Sequence, residues 1–113
     1  MGDGGQDMTN EYGAKLDRNG YAPSIVQEDN SKCYICGCTE RLQRHEPFNQ
    51  TANRVKSKNL GMWVTLCSFC HDLCHSSLKE YGQAMKRETQ ARAMQYYGWS
   101  FDDWHERFGK SVL

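Results

Sequence analysis

Two pairs of cysteines, Cys33-x-x-Cys36 and Cys67-x-x-Cys70, constrain what this 113-residue chain can fold into more than any other feature. A two-residue gap lets a tight turn aim two thiolates at one ion, and two such turns complete a closed tetrahedral cage of the kind a structural zinc takes. Such a cage is needed. Only 38% of the residues are apolar and the mean hydropathy is -0.84, so hydrophobic burial alone would build a thin core. A structural metal contributes on the order of 10 kcal/mol to folding. A disulfide framework is the other use for six cysteines, but the start, MGDGGQDMTNEYG, has neither the basic residues nor the apolar stretch of an export signal. No run approaches the roughly 18 apolar residues of a membrane span. The expectation is a soluble, cytoplasmic protein with no membrane partner.

The net charge of zero hides an asymmetry. Residues 1–30 hold six acids against two bases, whereas residues 31–113 hold 12 bases against eight acids. The first 30 residues contain five glycines and no periodic apolar pattern, which predicts an acidic, flexible N-terminal segment, with Ile25 and Val26 as residues that could dock. The folded domain is then residues 31–113. Within it Leu42 to His45 alternate as in a short strand, with Pro47 at its end. Residues 49–60 predict a polar loop with room for a helical turn, and GMWVTL a second strand that closes at Cys67. A helix from Cys67 to Tyr81 stops at Gly82, and another runs from about Gln83 to Tyr97 with Ala84, Met85, Ala91, Met94 and Tyr97 as its buried face. Ser100-x-x-Asp103 predicts a capped terminal helix that lines up Phe101, Trp104 and Phe108. Cys74 reads as a core residue, and Cys38 as an alternative to Cys36.

Three of the four histidines stand near these elements: His45 on the first strand, followed by Glu46, and His71 and His75 on the helix that opens at the second cysteine pair. Residues four apart share a helix face. If the cysteine turns clamp the strands against that helix, His45 and His71 meet beside the closed cage and form a second, open site. Several metal motifs do not apply. HEPFN lacks the second histidine of a zincin helix and has Pro47 inside it, no CxxC here follows a proline as in the zinc deaminases, and His71 follows Cys70 too directly for a two-Cys two-His finger.

The order CxxC, strand histidine, polar loop and LCxxCH opening a helix resembles the HNH endonucleases, members of the His-Me finger group with a ββα-metal fold. The stretch RHEPFNQTANRVKSKNLGMWVTLCSFCHDLCH is similar to that of small phage and prophage HNH proteins, as is the closing RFGKSVL. The resemblance covers residues 32 to 113. It implies an α+β fold in which a small zinc-stabilised ββα-metal core, held by Cys33, Cys36, Cys67 and Cys70, carries additional C-terminal helices. It also implies hydrolysis of DNA phosphodiester bonds with a catalytic Mg²⁺ or Mn²⁺. By position His71 matches the helix ligand, with His75 assisting, while His45 and Glu46 share the strand duties. Arg44 precedes His45 where the family usually has an acid or a histidine, so which of His45 and Glu46 is base and which is ligand stays open. The middle asparagine is displaced as well; Asn53 is the residue expected to act, with Asn59 a second candidate.

Arg41, Arg44, Arg54, Lys56 and Lys58 face only Glu46 in the stretch 41–58, a strip that could neutralise several phosphates and bind nucleic acid. Two other readings compete with a nuclease: a catalytically inactive zinc-dependent nucleic-acid-binding module, and a protein-interaction adaptor that uses the aromatic C-terminal helices.

Overall fold

The computed structural model describes residues 8–75 and 79–113. Strand β1 (Leu42–His45) is followed by helix α1 (Thr51–Asn59), strand β2 (Val64–Cys67) and helices α2 (Ser68–His75), α3 (Lys79–Tyr97) and α4 (Phe101–Phe108). This is a small α+β fold. The strands pair antiparallel in the register Leu42 to Cys67 and His45 to Val64. Every residue of β2 is buried, because its second edge is covered: the Thr65 amide donates to Gln27 Oε1 at 2.7 Å and its carbonyl accepts from Tyr34 N–H at 2.8 Å. With both edges paired, the strand leaves no open ladder.

Two apolar clusters flank the sheet. Val26, Val64, Leu66 and Met85 gather with Cys33, Cys67 and Cys70 in one; Phe48, Leu60, Met62, Ala93, Trp99, Trp104 and Phe108 form the other, and Ile25 packs against both. Trp104 is fully buried and stacks on Phe108 at 4.6 Å between ring centroids. The α4 cap is the expected capping box, with the Asp103 amide donating to Ser100 Oγ at 3.1 Å and the Ser100 amide to Asp103 Oδ2 at 2.9 Å.

The expected flexible segment over residues 1–30 requires correction for residues 8–30, which dock on the domain. The Ala22 amide donates to the Lys58 carbonyl and the Ile25 amide to the Gly61 carbonyl, both at 2.9 Å, while Trp63 Nε1 donates to the Ala22 carbonyl at 2.8 Å. Ala22 and Val26 are buried, and Glu11 pairs with Arg107. The expected docking of Ile25 and Val26 is present, and the rest was not apparent from composition because it rests on backbone and polar side-chain hydrogen bonds. Gly61, at φ 73°, completes it: a Cβ there would collide with the Pro23 carbonyl.

Local expectations also shift. The predicted loop at 49–60 contains the nine-residue α1, whose Ser57 hydroxyl donates to the Phe48 carbonyl at 2.8 Å. Gly82 is not a stop but lies inside α3, where α2 crosses so closely that a Cβ would stand 3.0 Å from the Cys74 carbonyl oxygen. The expected helix through Tyr81 is described as α2 up to His75; residues 76–78 lie outside the described residues, and Lys79 to Tyr81 belong to α3. The buried face of α3 is rotated: Ala84 and Ala91 are exposed, and Thr89, Gln90 and Ala93 are buried with Met85. Polar Gln90 belongs inside because it holds the C-terminal tail, donating to Ser111 Oγ and accepting from the Val112 amide, each at 2.8 Å. Phe101, expected on the inner face of α4, is exposed. Among the described residues, no helix is long and apolar enough to cross a membrane.

Candidate metal centre and histidine cleft

Cys33 and Cys36 lie on a turn closed by two backbone hydrogen bonds, from the Cys33 amide to the Cys38 carbonyl at 2.8 Å and from the Gly37 amide to the Cys33 carbonyl at 2.9 Å. Gly37, at φ 80°, takes the left-handed position the turn demands. Cys67 ends β2 and Cys70 lies in the first turn of α2. The four sulfurs lie within 4.8 Å of one another. Cys36 Sγ and Cys67 Sγ are 3.8 Å apart, which matches the edge of about 3.8 Å that a tetrahedron with Zn–S bonds of about 2.3 Å would have. The donor set is all thiol, the chemistry that suits zinc.

The backbone prepares two of these sulfurs, those of Cys33 and Cys67, to ionise. Burial opposes a Cys33 thiolate, yet the N–H groups of Cys36, Cys67 and Ile35 outweigh it and hold the thiol at about 6. The Cys70 amide donates to Cys67 Sγ at 3.4 Å and lowers that thiol as well. Cys70 is pushed up by burial and by the neighbouring thiols, a repulsion that a divalent cation would relieve. Cys38 stays outside the cluster and exposed, while half-buried Cys74 packs on the apolar side.

Beside this centre the sheet register and α2 bring two imidazoles together. The rings of His45 and His71 meet edge to face with centroids 5.1 Å apart. His45 is buried at the end of β1, and His71, next to Cys70, is half-buried. They line a cleft of about 330 Å³ with Tyr21, Glu46, Asn49 and Arg54. Glu46 is only 5% exposed, and both its oxygens are engaged: Tyr21 Oη donates to Oε2 at 2.8 Å and Arg54 Nε to Oε1 at 3.0 Å. Burial, then the bond to Glu46, raises the Tyr21 phenol above its ordinary value.

Asn53 does not line this cleft; Asn49 does. Asn53 lies in the first turn of α1, and Asn59, the second candidate, ends that helix with its carbonyl accepting from Asn10. For His75, the last residue of α2, the side chain lies outside the described residues. Asn49 and Tyr21 were missed in the sequence, Asn49 because the HNH spacing drew attention further along, and Tyr21 because no local pattern ties residue 21 to residue 46.

The basic strip does not present five free cations. Arg44 pairs with Asp17 at 2.9 Å and lies over the rings of Tyr21 and Trp63 at 4.1 and 4.9 Å. Arg54 holds Glu46, Lys58 lies 4.9 Å over Tyr21, and Lys56 turns away to the Arg107 carbonyl on α4. Arg41 is exposed at the turn before β1.

Among the described residues the four cysteines are the one group of three or more histidine, cysteine or acidic side chains close enough to share an ion. Among the described residues the histidine cleft is lined by two imidazoles, those of His45 and His71. Compared with protein families, with curated proteins and with solved structures, the chain finds no match.

Proposed function

We propose that this protein is a metal-dependent endonuclease of the HNH type, hydrolysing DNA phosphodiester bonds in a phage or prophage setting, with a thiolate-bound zinc as the staple of a ββα-metal core. The observation that carries this reading is the approach of His45 on β1 to His71 on α2, imidazoles 26 positions apart, beside a closed four-cysteine centre. The order β1, β2, α2 around them supports it.

His45, the more buried of the pair, is the residue to take a proton from the attacking water, since a neutral imidazole titrates near working pH. His71 would hold the divalent ion, whose chemistry is to offset charge developing on the leaving oxygen. Nitrogen donors suit Mn²⁺ better than Mg²⁺, which demands oxygen ligands. Glu46, with both oxygens taken, acts as a brace that keeps Tyr21 and Arg54 at the cleft.

The same brace favours a second reading, a zinc-dependent nucleic-acid-binding module without catalysis, because it leaves the cleft without a ready carboxylate ligand. Plasmid nicking with Mg²⁺ or Mn²⁺ decides between them. Wild type should cleave and His45→Ala and His71→Ala should lose about a hundredfold or more. Salt-dependent binding with no cleavage selects the silent module, and equal cleavage by all three chains sinks the nuclease reading.

A further inference from the structure

His45 borders a second recess, on the side of α3. This cleft of about 200 Å³ is lined by His45, Pro47, Asn49, Gln83 and Lys86, with Cys74 and Gly82 at its floor. Gln83 and Lys86 lie three residues apart on α3 and so share a face of the helix. The glycine allows it: with α2 pressed against Gly82, the first turns of α3 come close enough to border the same recess as His45.

Lys86 differs from the cations of the strip at 41–58. It is half-buried, and among the described residues no hydrogen bond, ion pair or ring contact engages it. No carboxylate appears among the described residues that line its cleft. Four of the five strip cations are already committed within the protein: Arg44 to Asp17, Arg54 to Glu46, Lys56 to Arg107 and Lys58 to Tyr21. A partly desolvated ammonium with no counter-charge among the described residues favours an external anion, and the amides of Asn49 and Gln83 supply neutral donors beside it.

We propose that Lys86, Gln83 and Asn49 form a phosphate subsite next to His45, which takes a phosphate of the nucleic-acid backbone. The proposal deepens the nucleic-acid reading and rests on it for the identity of the anion's carrier. It assigns phosphate binding near the histidines to α3, outside the stretch singled out in the sequence.

The test uses the full zinc-loaded chain, a fluorescein-labelled duplex DNA and, separately, inorganic phosphate. Lys86→Ala should weaken duplex binding about tenfold and lower the slope of log K against log salt by about 0.9, one phosphate contact. Lys86→Arg should keep both, and exposed Arg92→Ala serves as the control. In the phosphate arm, the side-chain NMR signals of His45 and Lys86 should shift in the wild type, and the His45 signal should not shift in Lys86→Ala. If phosphate moves those signals while wild type binds no duplex, the subsite stands and the nucleic-acid reading falls. If Lys86→Ala folds, binds duplex with an unchanged slope, and phosphate leaves His45 unmoved in the wild type, the subsite is overturned.

Discussion

Tyr21 Oη and Glu46 Oε2 are joined at 2.8 Å across 25 positions of chain, so a residue of the docked N-terminal segment reaches a buried carboxylate beside His45. The cleft is thus built from four parts of the sequence: Tyr21 of the docked segment, the strand end and the residues after it from 43 to 49, Arg54 of α1, and His71 of α2. Tyr21→Phe removes one of two partners of a buried charge and should cost about 1.5–3 kcal/mol, read by urea unfolding. A loss under about 0.5 kcal/mol would show that Arg54 alone satisfies Glu46.

Stripping the metal should unfold the domain. The four-sulfur centre joins the turn at Cys33, the end of β2 and the start of α2, and the apolar cluster of Val26, Val64, Leu66 and Met85 is assembled around it, so a loss on the order of 10 kcal/mol would fall on that cluster as well. Chelator with a thiol-blocking reagent should abolish the cooperative thermal transition and flatten the near-ultraviolet circular dichroism. Persistence of a sharp melt in metal-free protein would contradict the staple.

Gly61→Ala should destabilise by about 1–3 kcal/mol, because φ is 73° and the new methyl would meet the Pro23 carbonyl. The damage should be local at first. Hydrogen exchange is expected to quicken at Ala22 and Ile25, whose amides dock on Lys58 and Gly61, before it quickens in β2. Equal acceleration everywhere would mean that the segment does not open independently.

Asp17 governs the pH dependence of that docking. Its carboxyl is held below 3.8, chiefly by the Tyr21 amide and then by the Asn19 amide and Arg44. A lowered folded value means a contribution fully present above the unfolded value and lost as pH falls through the folded one. The stability gap between wild type and Asp17→Ala should be about 1 kcal/mol, allowing for an ion pair open to solvent, and flat from about pH 7 to pH 5. The gap should narrow as pH falls below about 4, and a gap that stays unchanged there would show that the carboxyl is not lowered.

The four-cysteine cluster was legible because its signal is local: two turns, each written in four residues. The meeting of His45 with His71 followed from placing those turns against two strands and a helix, since one register fixes both. Helix α1 was harder to see. Its preceding residue, Gln50, makes no side-chain cap, and its only buried member is Ser57, so neither a cap nor an apolar stripe announces it. The docked segment was legible only at Ile25 and Val26; the rest escaped for a related reason, because hydrogen bonds such as that from Ala22 leave no trace in composition. The inward face of α3 was misjudged because Gln90 is held there by the C-terminal tail, a long-range partnership that periodicity does not encode.

Cys70 and His71 are consecutive on one turn of α2, with the sulfur in the cluster and the ring in the cleft. Successive helical residues differ in direction by about 100°, so a single peptide bond sets the angle between the cysteine cluster and the cleft. An extra residue spliced between them would leave every cysteine able to reach its partners while swinging the imidazole toward another face of the helix. The protein would keep its shape and lose its opening.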